Sequence, residues 1–289
     1  AGTMGAGIAG QVANAGIDVY LLDLPGEGDD VNAVARRGLE RLKNSDQPGL
    51  MSAESEKHVI LGNIRDDLSV VAECDWVAEA VVEQLDIKHR LYSQLAEYLH
   101  PRAILTSNTS TIPIALLTEG MAPALRQRFA ITHFFNPVRF MRLLELVRGE
   151  DTTDEVMQRL DEFCEAQLGK GVVPCADTPG FLANRVGVYA IQCALHEAFA
   201  AELSPPVADA LFGRPMGIPK TGVFGLYDLI GIDLMSDVVD SLVSILPEQD
   251  AFHAVSSRID VMTRMIGDGQ CGNKSGKGFY LSDEQSGLK

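Results

Sequence analysis

The sequence predicts an α/β protein, in which a doubly wound, mostly parallel sheet with helices on both faces is followed by an all-α domain. Two observations carry this prediction. Short runs of aliphatic and β-branched residues alternate with segments of helical spacing as far as Val173, which is typical of a parallel sheet. From Asp177 onward the pattern changes to long apolar helices. We therefore divide the chain into a sheet domain at residues 1–176 and a helical domain at residues 177–289.

Composition limits the function classes. A chain of 289 residues with 46% apolar residues can bury a full core. Its net charge of −16 argues against nucleic acid as a partner. The five cysteines lack C-x-x-C spacing, so they indicate neither a zinc site nor a disulfide framework, and we expect no metal. No apolar run has the length of a membrane span, and we expect a cytoplasmic protein.

The chain opens on small residues that are typical of a phosphate-binding turn. Gly2-Thr3-Met4-Gly5 precedes a helical segment, and a β-type run then ends at Asp23. Backbone N–H groups at such a helix start can bind a pyrophosphate, while the carboxylate can accept both ribose hydroxyls and repel a 2′-phosphate. The pattern predicts a Rossmann-like domain that binds NAD rather than NADP, with an ordinary strand-to-helix turn as the alternative. The motif's first strand is missing, so we expect the polypeptide to begin upstream of Ala1.

Basic residues concentrate in the following segment, residues 31–57, which has helical spacing and a break at Pro48-Gly49. They are Arg36, Arg37, Arg41 and Lys43. Such a run is usually a solvated helix face. The alternative is that these side chains hold the phosphates of a coenzyme A molecule.

A histidine ends one apolar β-type run, and a carboxylate lies inside the next. His133 comes just before Asn136-Pro137, and Glu145 follows within Leu143–Val147. The Asn-Pro turn between them lets the two strand ends fold against each other, within hydrogen-bond reach. A carboxylate in contact with an imidazole fixes its tautomer, so the pair predicts a general base with its orienter. The alternative is that His133 is a hydrogen-bonded core or surface residue and that Glu145 only caps a neighbouring segment.

Polar side chains also follow two other predicted strands, at the carboxyl ends where ligands lie in doubly wound sheets. The run Cys74–Glu83 leads through Glu83 to Lys88, and the run that starts at Ala103 ends in Asn108 and Ser110. We expect these residues near the cofactor and the substrate hydroxyl. As alternatives, Glu83 is an acid favoured by a helix N-terminus, and the Ser/Thr/Asn cluster forms helix caps.

The helical part begins with a long apolar helix from Phe181 that carries Asn184 and Arg185 near its start. Such a polar pair needs partners or a ligand. The chain then closes on a glycine-rich basic turn around Lys274. The uniformly apolar helices suggest a homodimer.

Together these segments resemble the L-3-hydroxyacyl-CoA dehydrogenases of fatty-acid β-oxidation along essentially the whole chain. The segments that carry the resemblance are Gly2-Thr-Met-Gly5-Ala-Gly-Ile-Ala, Glu79-Ala-Val-Val-Glu83, Ser107-Asn-Thr-Ser110, His133-Phe-Phe-Asn-Pro137, Leu144-Glu145, Asp177-Thr-Pro-Gly-Phe181 with Asn184-Arg185, and Lys274-Ser-Gly-Lys-Gly-Phe-Tyr280. In combination they are far more specific than any one motif.

The resemblance implies NAD-dependent oxidation of an L-3-hydroxyacyl-CoA to a 3-ketoacyl-CoA. It implies that His133 is the catalytic base, paired with Glu145, and that Ser110 and Asn184 bind the substrate oxygen. The implied cofactor contacts are Asp23, Glu83, Lys88 and Lys274, with Asn108 and Asn136 lining the cofactor side. A non-catalytic NAD-binding scaffold and a dehydrogenase of a free hydroxy acid remain as alternatives.

Two details refine the resemblance. Gly169-Lys-Gly-Val-Val and Gly213-Arg-Pro215 look most like large bacterial proteins that carry this dehydrogenase ahead of a crotonase-like enoyl-CoA hydratase. We therefore expect a fused hydratase region after this chain. In the stretch Gly213–Gly222, the chain departs from the Tyr-Pro-Met-Gly-Pro-type segment of the short-chain enzymes, which leaves the acyl-chain preference open.

Overall fold

The computed structural model describes residues 1–45, 47–217, 221–256 and 260–281, which form two compact units, Ala1–Phe181 and Leu182–Lys289. The described strands, all in the first unit, are β1 (Val19–Asp23), β2 (Val59–Asn63), β3 (Trp76–Glu79), β4 (Ile104–Ser107), β5 (Phe129–Phe134), β6 (Leu143–Arg148) and β7 (Gly171–Cys175). The first unit's helices are α1 (Thr3–Asn14), α2 (Ala33–Asn44), α3 (Ala53–Glu56), α4 (Leu85–Ala96), α5 (Ile114–Leu117), α6 (Pro123–Arg126) and α7 (Asp154–Ala166). Those of the second unit are α8 (Ala183–Ala200), α9 (Pro205–Leu211), α10 (Phe224–Ile230), α11 (Ile232–Ile245) and α12 (Asp260–Gly267).

The strands form a mostly parallel arrangement, as the sequence predicts. β1 pairs in parallel with β2, while the other five strands form a sheet in the order β3-β4-β5-β6-β7. Within that sheet only the pairing of β5 with β6 is antiparallel. Its centre is fully buried, which agrees with the near-continuous apolar character of the strands. The predicted α/β class and the all-α second part are both confirmed.

A glycine brings α1 close to the chain that follows β5. A Cβ atom added at Gly7 would lie 2.8 Å from the Cγ2 atom of Val138, closer than real Cβ contacts. A larger residue at this position would push the helix away from the loop after His133. The small residues of α1 therefore serve close packing, besides leaving its first turn accessible.

The first third of the chain differs from the prediction of one broken helix over residues 31–57. The helix α2 ends at Asn44, and the single turn α3 follows the predicted break. The basic residues are partly neutralised: Arg36 pairs with Asp30, and Lys43 pairs with Glu40 and Glu56. The strand β2 was not predicted, because its five residues hold a glycine and an asparagine and give little periodic signal.

The strand predicted over Cys74–Glu83 is also shorter than expected. It ends at Glu79, whose own carboxylate accepts a hydrogen bond from the backbone N–H of Val81 at 2.7 Å. That contact turns the chain away from the sheet. An aliphatic run continues through the turn, and this is why the sequence alone extends the strand.

The first unit ends at Phe181 and the second begins at Leu182, whereas the boundary predicted from the sequence lies after residue 176. Asp177 accepts a hydrogen bond from the backbone N–H of Ile114 at 2.8 Å, and Phe181 is buried in the core of the first unit. These contacts hold the connecting segment to the sheet. The assignment of NAD binding to the first part and of substrate binding to the second stays a prediction.

The second unit packs its helices around Leu195, Phe224, Tyr227 and Ile232, which are at most 1% exposed. The stretch Gly213–Gly222, which leaves the acyl-chain preference open, includes residues 218–220, which lie outside the described residues. The described part of α12 starts at Asp260. None of the described helices has both the length and the apolar character needed to cross a membrane.

The glycine-rich close of the chain wraps around one carboxylate of the second unit. The backbone N–H groups of Phe279 and Tyr280 donate to Asp228 at 2.9 and 2.8 Å. A Cβ atom at Gly278 would lie 2.0 Å from the Oδ1 atom of the same aspartate. Glycine is therefore needed at this position, and its structural role accounts for part of the motif.

Candidate active site

His133 and Glu145 form a buried cross-strand pair. They lie directly opposite each other in the antiparallel pairing of β5 with β6, so their side chains share one face of the sheet. The Nδ1 atom of His133 lies 2.7 Å from the Oε2 atom of Glu145. The histidine is 6% exposed and the glutamate 0%. The predicted contact is confirmed, while the catalytic roles stay a prediction.

The contact determines which nitrogen of His133 is available for chemistry. A carboxylate accepts a hydrogen bond, so the Nδ1 atom carries a proton, and in the neutral imidazole the lone pair is then on the Nε2 atom. The imidazole packs against Phe135 and Phe181, with ring centroids 4.5 and 5.7 Å away. These rings restrict the imidazole to one orientation and limit its access to water.

A thiol on the next strand also reaches the carboxylate. The Sγ atom of Cys175, at the end of β7, lies 3.8 Å from the Oε1 atom of Glu145. The sequence analysis missed this contact, because it depends on the parallel pairing of β6 with β7. All five cysteines are free thiols.

The loop after β4 is tied to the strand that carries the histidine. Asn108 accepts a hydrogen bond from the backbone N–H of Phe134 at 2.9 Å through its side-chain oxygen. Ser110 follows two residues later and is half-buried. The structure therefore brings this loop beside His133, at the carboxyl ends of neighbouring parallel strands, as the sequence predicts.

Glu83 fixes the other side of that loop. Its carboxylate accepts hydrogen bonds from the hydroxyl groups of Thr109 and Thr111 and from the backbone N–H of Ser110. Partial burial acts to raise the pKa of Glu83, but the Thr109 hydrogen bond and the charge of Lys88 outweigh it, so the pKa lies below its usual value. The carboxylate is therefore charged at neutral pH.

Lys88 does not extend into solvent. It is 1% exposed, and its Nζ atom lies 2.7 Å from a carboxylate oxygen of Glu79 and 3.3 Å from one of Glu83. The sequence predicts Glu83 and Lys88 as neighbours of the cofactor but overlooks Glu79. Its position at the carboxyl end of an apolar strand was the available signal.

The comparisons with known proteins identify the family of the chain. The family model for the NAD-binding domain of 3-hydroxyacyl-CoA dehydrogenase matches residues 1–178, and the model for the family's C-terminal domain matches residues 180–282. A probable 3-hydroxyacyl-CoA dehydrogenase of Deinococcus radiodurans is 39% identical over 282 residues, which cover 97% of this chain and 80% of that protein. The chain belongs to the 3-hydroxyacyl-CoA dehydrogenase family. The family, the NAD cofactor and the dehydrogenase class are thus confirmed as the sequence predicts them.

Other members of the family differ in length. A putative fatty acid oxidation complex trifunctional enzyme of Rickettsia prowazekii is 40% identical over 290 residues, and the chain spans only 40% of its length. Among solved structures, FadB2 of M. tuberculosis is 30% identical with a TM-score of 0.81, and the match covers 98% of this chain and 96% of that one. FadB2 therefore shares the fold of this chain over nearly its whole length.

The glycine motif at the start of α1 fits NAD, the cofactor of this family. Gly2 is the N-cap of α1, and a Cβ atom there would meet no atom within 4 Å, so open space lies beside the first turn. Gly5 lies against Ala80, just beyond β3, where an added Cβ atom would be 3.7 Å from the alanine Cβ atom. Thr3 is exposed and Met4 half-buried. Backbone N–H groups at the start of α1 are thus accessible to a pyrophosphate.

Asp23 ends β1 next to this turn. Its carboxylate accepts a hydrogen bond from the N–H of Leu24 at 2.6 Å. A half-buried carboxylate beside the glycine motif suits a ribose diol. The arrangement therefore fits NAD, and Asp23 as a cofactor contact stays a prediction.

Three predicted residues remain, namely Asn136, Asn184 and Lys274. Asn136 is exposed in the loop after β5 and precedes a cis proline. Asn184 is half-buried in the first turn of α8, in the second unit. Lys274, also in the second unit, pairs with Asp233 at 2.6 Å. Their roles stay predictions. Among the described residues, no group of three or more His, Cys, Asp or Glu side chains is arranged to hold a metal ion.

A buried lysine holds the loop that follows His133. Lys170 is 4% exposed, and its Nζ atom donates hydrogen bonds to the carbonyl oxygens of Val138 and Met141. Burial lowers the pKa of this lysine to about 8. In the sequence, Lys170 is recognisable only as part of a family motif, and its contact with the loop after β5 is not predicted.

Proposed function

We propose that the chain catalyses the NAD-dependent oxidation of an L-3-hydroxyacyl-CoA to the 3-ketoacyl-CoA, with His133 as general base and Glu145 as its orienter. The observation that carries the proposal is the 2.7 Å contact between the two side chains in a buried position. Membership of the 3-hydroxyacyl-CoA dehydrogenase family supports the choice of substrate class.

In this mechanism the Nε2 atom of His133 accepts the proton of the 3-hydroxyl group. Glu145 holds the Nδ1–H group and stabilises the imidazolium that results, since a buried negative charge favours a neighbouring positive one. Ser110 and Asn184 hold the substrate oxygen by hydrogen bonds. NAD⁺, when bound, would supply the acceptor for the hydride that leaves C3.

The residues proposed to hold the cofactor divide into three groups. The first turn of α1 would bind the pyrophosphate, and Asp23 would bind the adenosine ribose. Glu83 would accept hydrogen bonds from the nicotinamide part of the cofactor, and Lys88 would balance the charge of this carboxylate. Asn108 and Asn136 line the same side, and Lys274 is a further candidate.

The physiological setting is part of the proposal. A trifunctional relative is named for a fatty acid oxidation complex, which supports a place in fatty-acid β-oxidation. The chain spans only 40% of that trifunctional relative, which supports the proposal of a further fused region; that this region is an enoyl-CoA hydratase stays a prediction from the sequence. A homodimer and a cytoplasmic location stay predictions from the sequence.

The test is a steady-state assay of NADH oxidation with acetoacetyl-CoA as substrate. A long-chain 3-ketoacyl-CoA, free acetoacetate and NADPH serve as parallel reactions. We expect turnover with the CoA esters and NADH, and little with the free acid or with NADPH. Turnover of acetoacetate that free coenzyme A does not inhibit would point to a free hydroxy acid as substrate. NADH binding without any turnover would point to a scaffold.

A further inference from the structure

Glu79 accepts hydrogen bonds at both oxygens of its carboxylate. It is the last residue of β3 and is 3% exposed. One oxygen accepts hydrogen bonds from the N–H of Val81 and the ammonium of Lys88, both at 2.7 Å. The other accepts from the hydroxyl groups of Tyr92 at 2.6 Å and Ser107 at 2.7 Å. One side chain therefore joins the ends of β3 and β4 to the helix α4.

The charge balance connects Glu79 to Glu83. Lys88 lies between the two carboxylates, 2.7 Å from the first and 3.3 Å from the second. A buried carboxylate without a counter-ion is strongly unfavourable, so Glu79 holds the ammonium in place. The ammonium that neutralises Glu79 thereby also faces Glu83, whose side chain is 39% exposed.

A second route leads from Glu79 to the Ser110 loop. The hydroxyl group of Ser107 donates to Glu79 and accepts a hydrogen bond from the N–H of Thr109 at 3.3 Å. Thr109 donates in turn to Glu83, which also accepts from the N–H of Ser110. The two routes start at Glu79 and meet at Glu83, so they form a closed ring of polar contacts.

We propose that Glu79 is a positioning residue that fixes the orientation of Glu83 and of the Ser110 loop, and so aligns the nicotinamide side of the cofactor with the substrate oxygen. The inference rests on the proposed function. It assigns no contact with substrate or cofactor to Glu79 itself. It differs from a purely structural role in predicting that loss of the carboxylate harms binding and turnover even where stability is restored.

The central variant is Glu79→Gln, which places an amide N–H₂ group among donors that now face a carboxylate. We expect kcat/KM for acetoacetyl-CoA to fall by about 10- to 100-fold, the scale of a misplaced catalytic loop, and the Kd of NADH to rise. The melting temperature should fall as well, since Lys88 loses its main counter-charge. Unchanged kcat/KM and NADH affinity would overturn the inference.

The double variant Glu79→Gln/Lys88→Met separates positioning from stability. It removes both buried charges, so we expect the melting temperature to recover towards that of the wild type. Turnover and NADH affinity should remain low, because the ring to Glu83 stays broken. Recovery of all three quantities would show that the pair is only structural and would overturn the proposal. Since Lys88 is itself a proposed cofactor contact, Ser107→Ala, which cuts the second route and keeps both charges, should lower turnover and NADH affinity as well.

A matched control uses a carboxylate with a similar set of hydrogen bonds in the second unit. Asp209 accepts from the N–H groups of Phe224 and Gly225 and from the hydroxyl group of Tyr280. Asp209→Asn should lower the melting temperature while NADH affinity stays near that of the wild type. A wild-type protein without activity on acetoacetyl-CoA would contradict the proposed function instead, and NADH binding by the Glu79 variants would still decide this inference.

Discussion

Two buried carboxylates of one sheet, Glu145 and Glu79, serve different partners. Glu145 faces an imidazole, a group that can gain and lose a proton near neutral pH. Glu79 faces an ammonium and two hydroxyl groups. The first arrangement can stabilise a charge that forms during a reaction, whereas the second holds a permanent charge and fixes the backbone. If the proposed function holds, the partner of the carboxylate, rather than its burial, distinguishes the reactive Glu145 from the positioning Glu79.

The largest effect should come from removing the imidazole. His133→Ala should lower kcat by about 10² to 10⁴, the usual contribution of a general base, with little change in the Kd of NADH. Steady-state kinetics and fluorescence titration measure the two quantities. The control is His58→Ala, because His58 forms an exposed pair with Asp18 at 2.8 Å in the same unit. Near-normal turnover of His133→Ala would reject the assignment.

A smaller loss should follow from neutralising the orienter. Glu145→Gln can still bond the Nδ1 atom of His133, but it provides no counter-charge for the imidazolium. We expect kcat to fall by roughly 10- to 100-fold, below the general-base contribution, with the circular dichroism spectrum unchanged. Wild-type kcat in this variant would mean that the carboxylate has no part in the reaction.

Lys170 sharpens the comparison, because this buried cation donates to two carbonyl oxygens, whereas Lys88 faces two carboxylates. Burial lowers the pKa of Lys170 to about 8 from 10.5. Between these values the unfolded chain binds more protons at this site than the folded protein, so rising pH stabilises the fold. Below this range the cost of the buried charge is fully present.

We therefore expect the free energy of unfolding of the wild type to gain about 2 kcal/mol, relative to Lys170→Met, between about pH 7 and about pH 10. Urea unfolding of both proteins at the two pH values measures the difference. Lys57→Met is the control, because the side chain of Lys57 is 69% exposed. If the free energy of unfolding of the wild type and of Lys170→Met changed with pH in the same way, the lowered pKa of Lys170 would be contradicted.

The smallest effect concerns the cofactor. Asp23→Ser removes the carboxylate that would repel a 2′-phosphate, so we expect the preference for NADH over NADPH to fall by about tenfold. The ratio of kcat/KM for the two cofactors measures this change. An unchanged ratio would remove Asp23 from the proposed cofactor site.

The sequence predicts the His133–Glu145 pair well because both residues lie in strongly apolar runs on either side of a short turn. That layout allows one antiparallel pairing, in which they face each other. The cluster around Glu79 is different. Its partners come from the turn after β3, from α4 and from the end of β4, up to 28 residues away in sequence, and no local pattern records which of them meet.

The same reasoning explains the other omissions. Cys175 contacts Glu145 only because β7 pairs with β6. Lys170, which lies just before β7, contacts the loop after β5. Short elements such as β2 carry too few apolar residues to be recognised. Long periodic segments, by contrast, give both the mostly parallel sheet and the apolar helix α8.

The most direct test of the central claim is a double-mutant cycle on kcat with His133→Ala, Glu145→Gln and the double variant. If the carboxylate acts through the imidazole, the double variant should be about as slow as His133→Ala alone. Losses that multiply, so that the double variant is slower by the product of both single effects, would contradict the account and show that the two residues act independently.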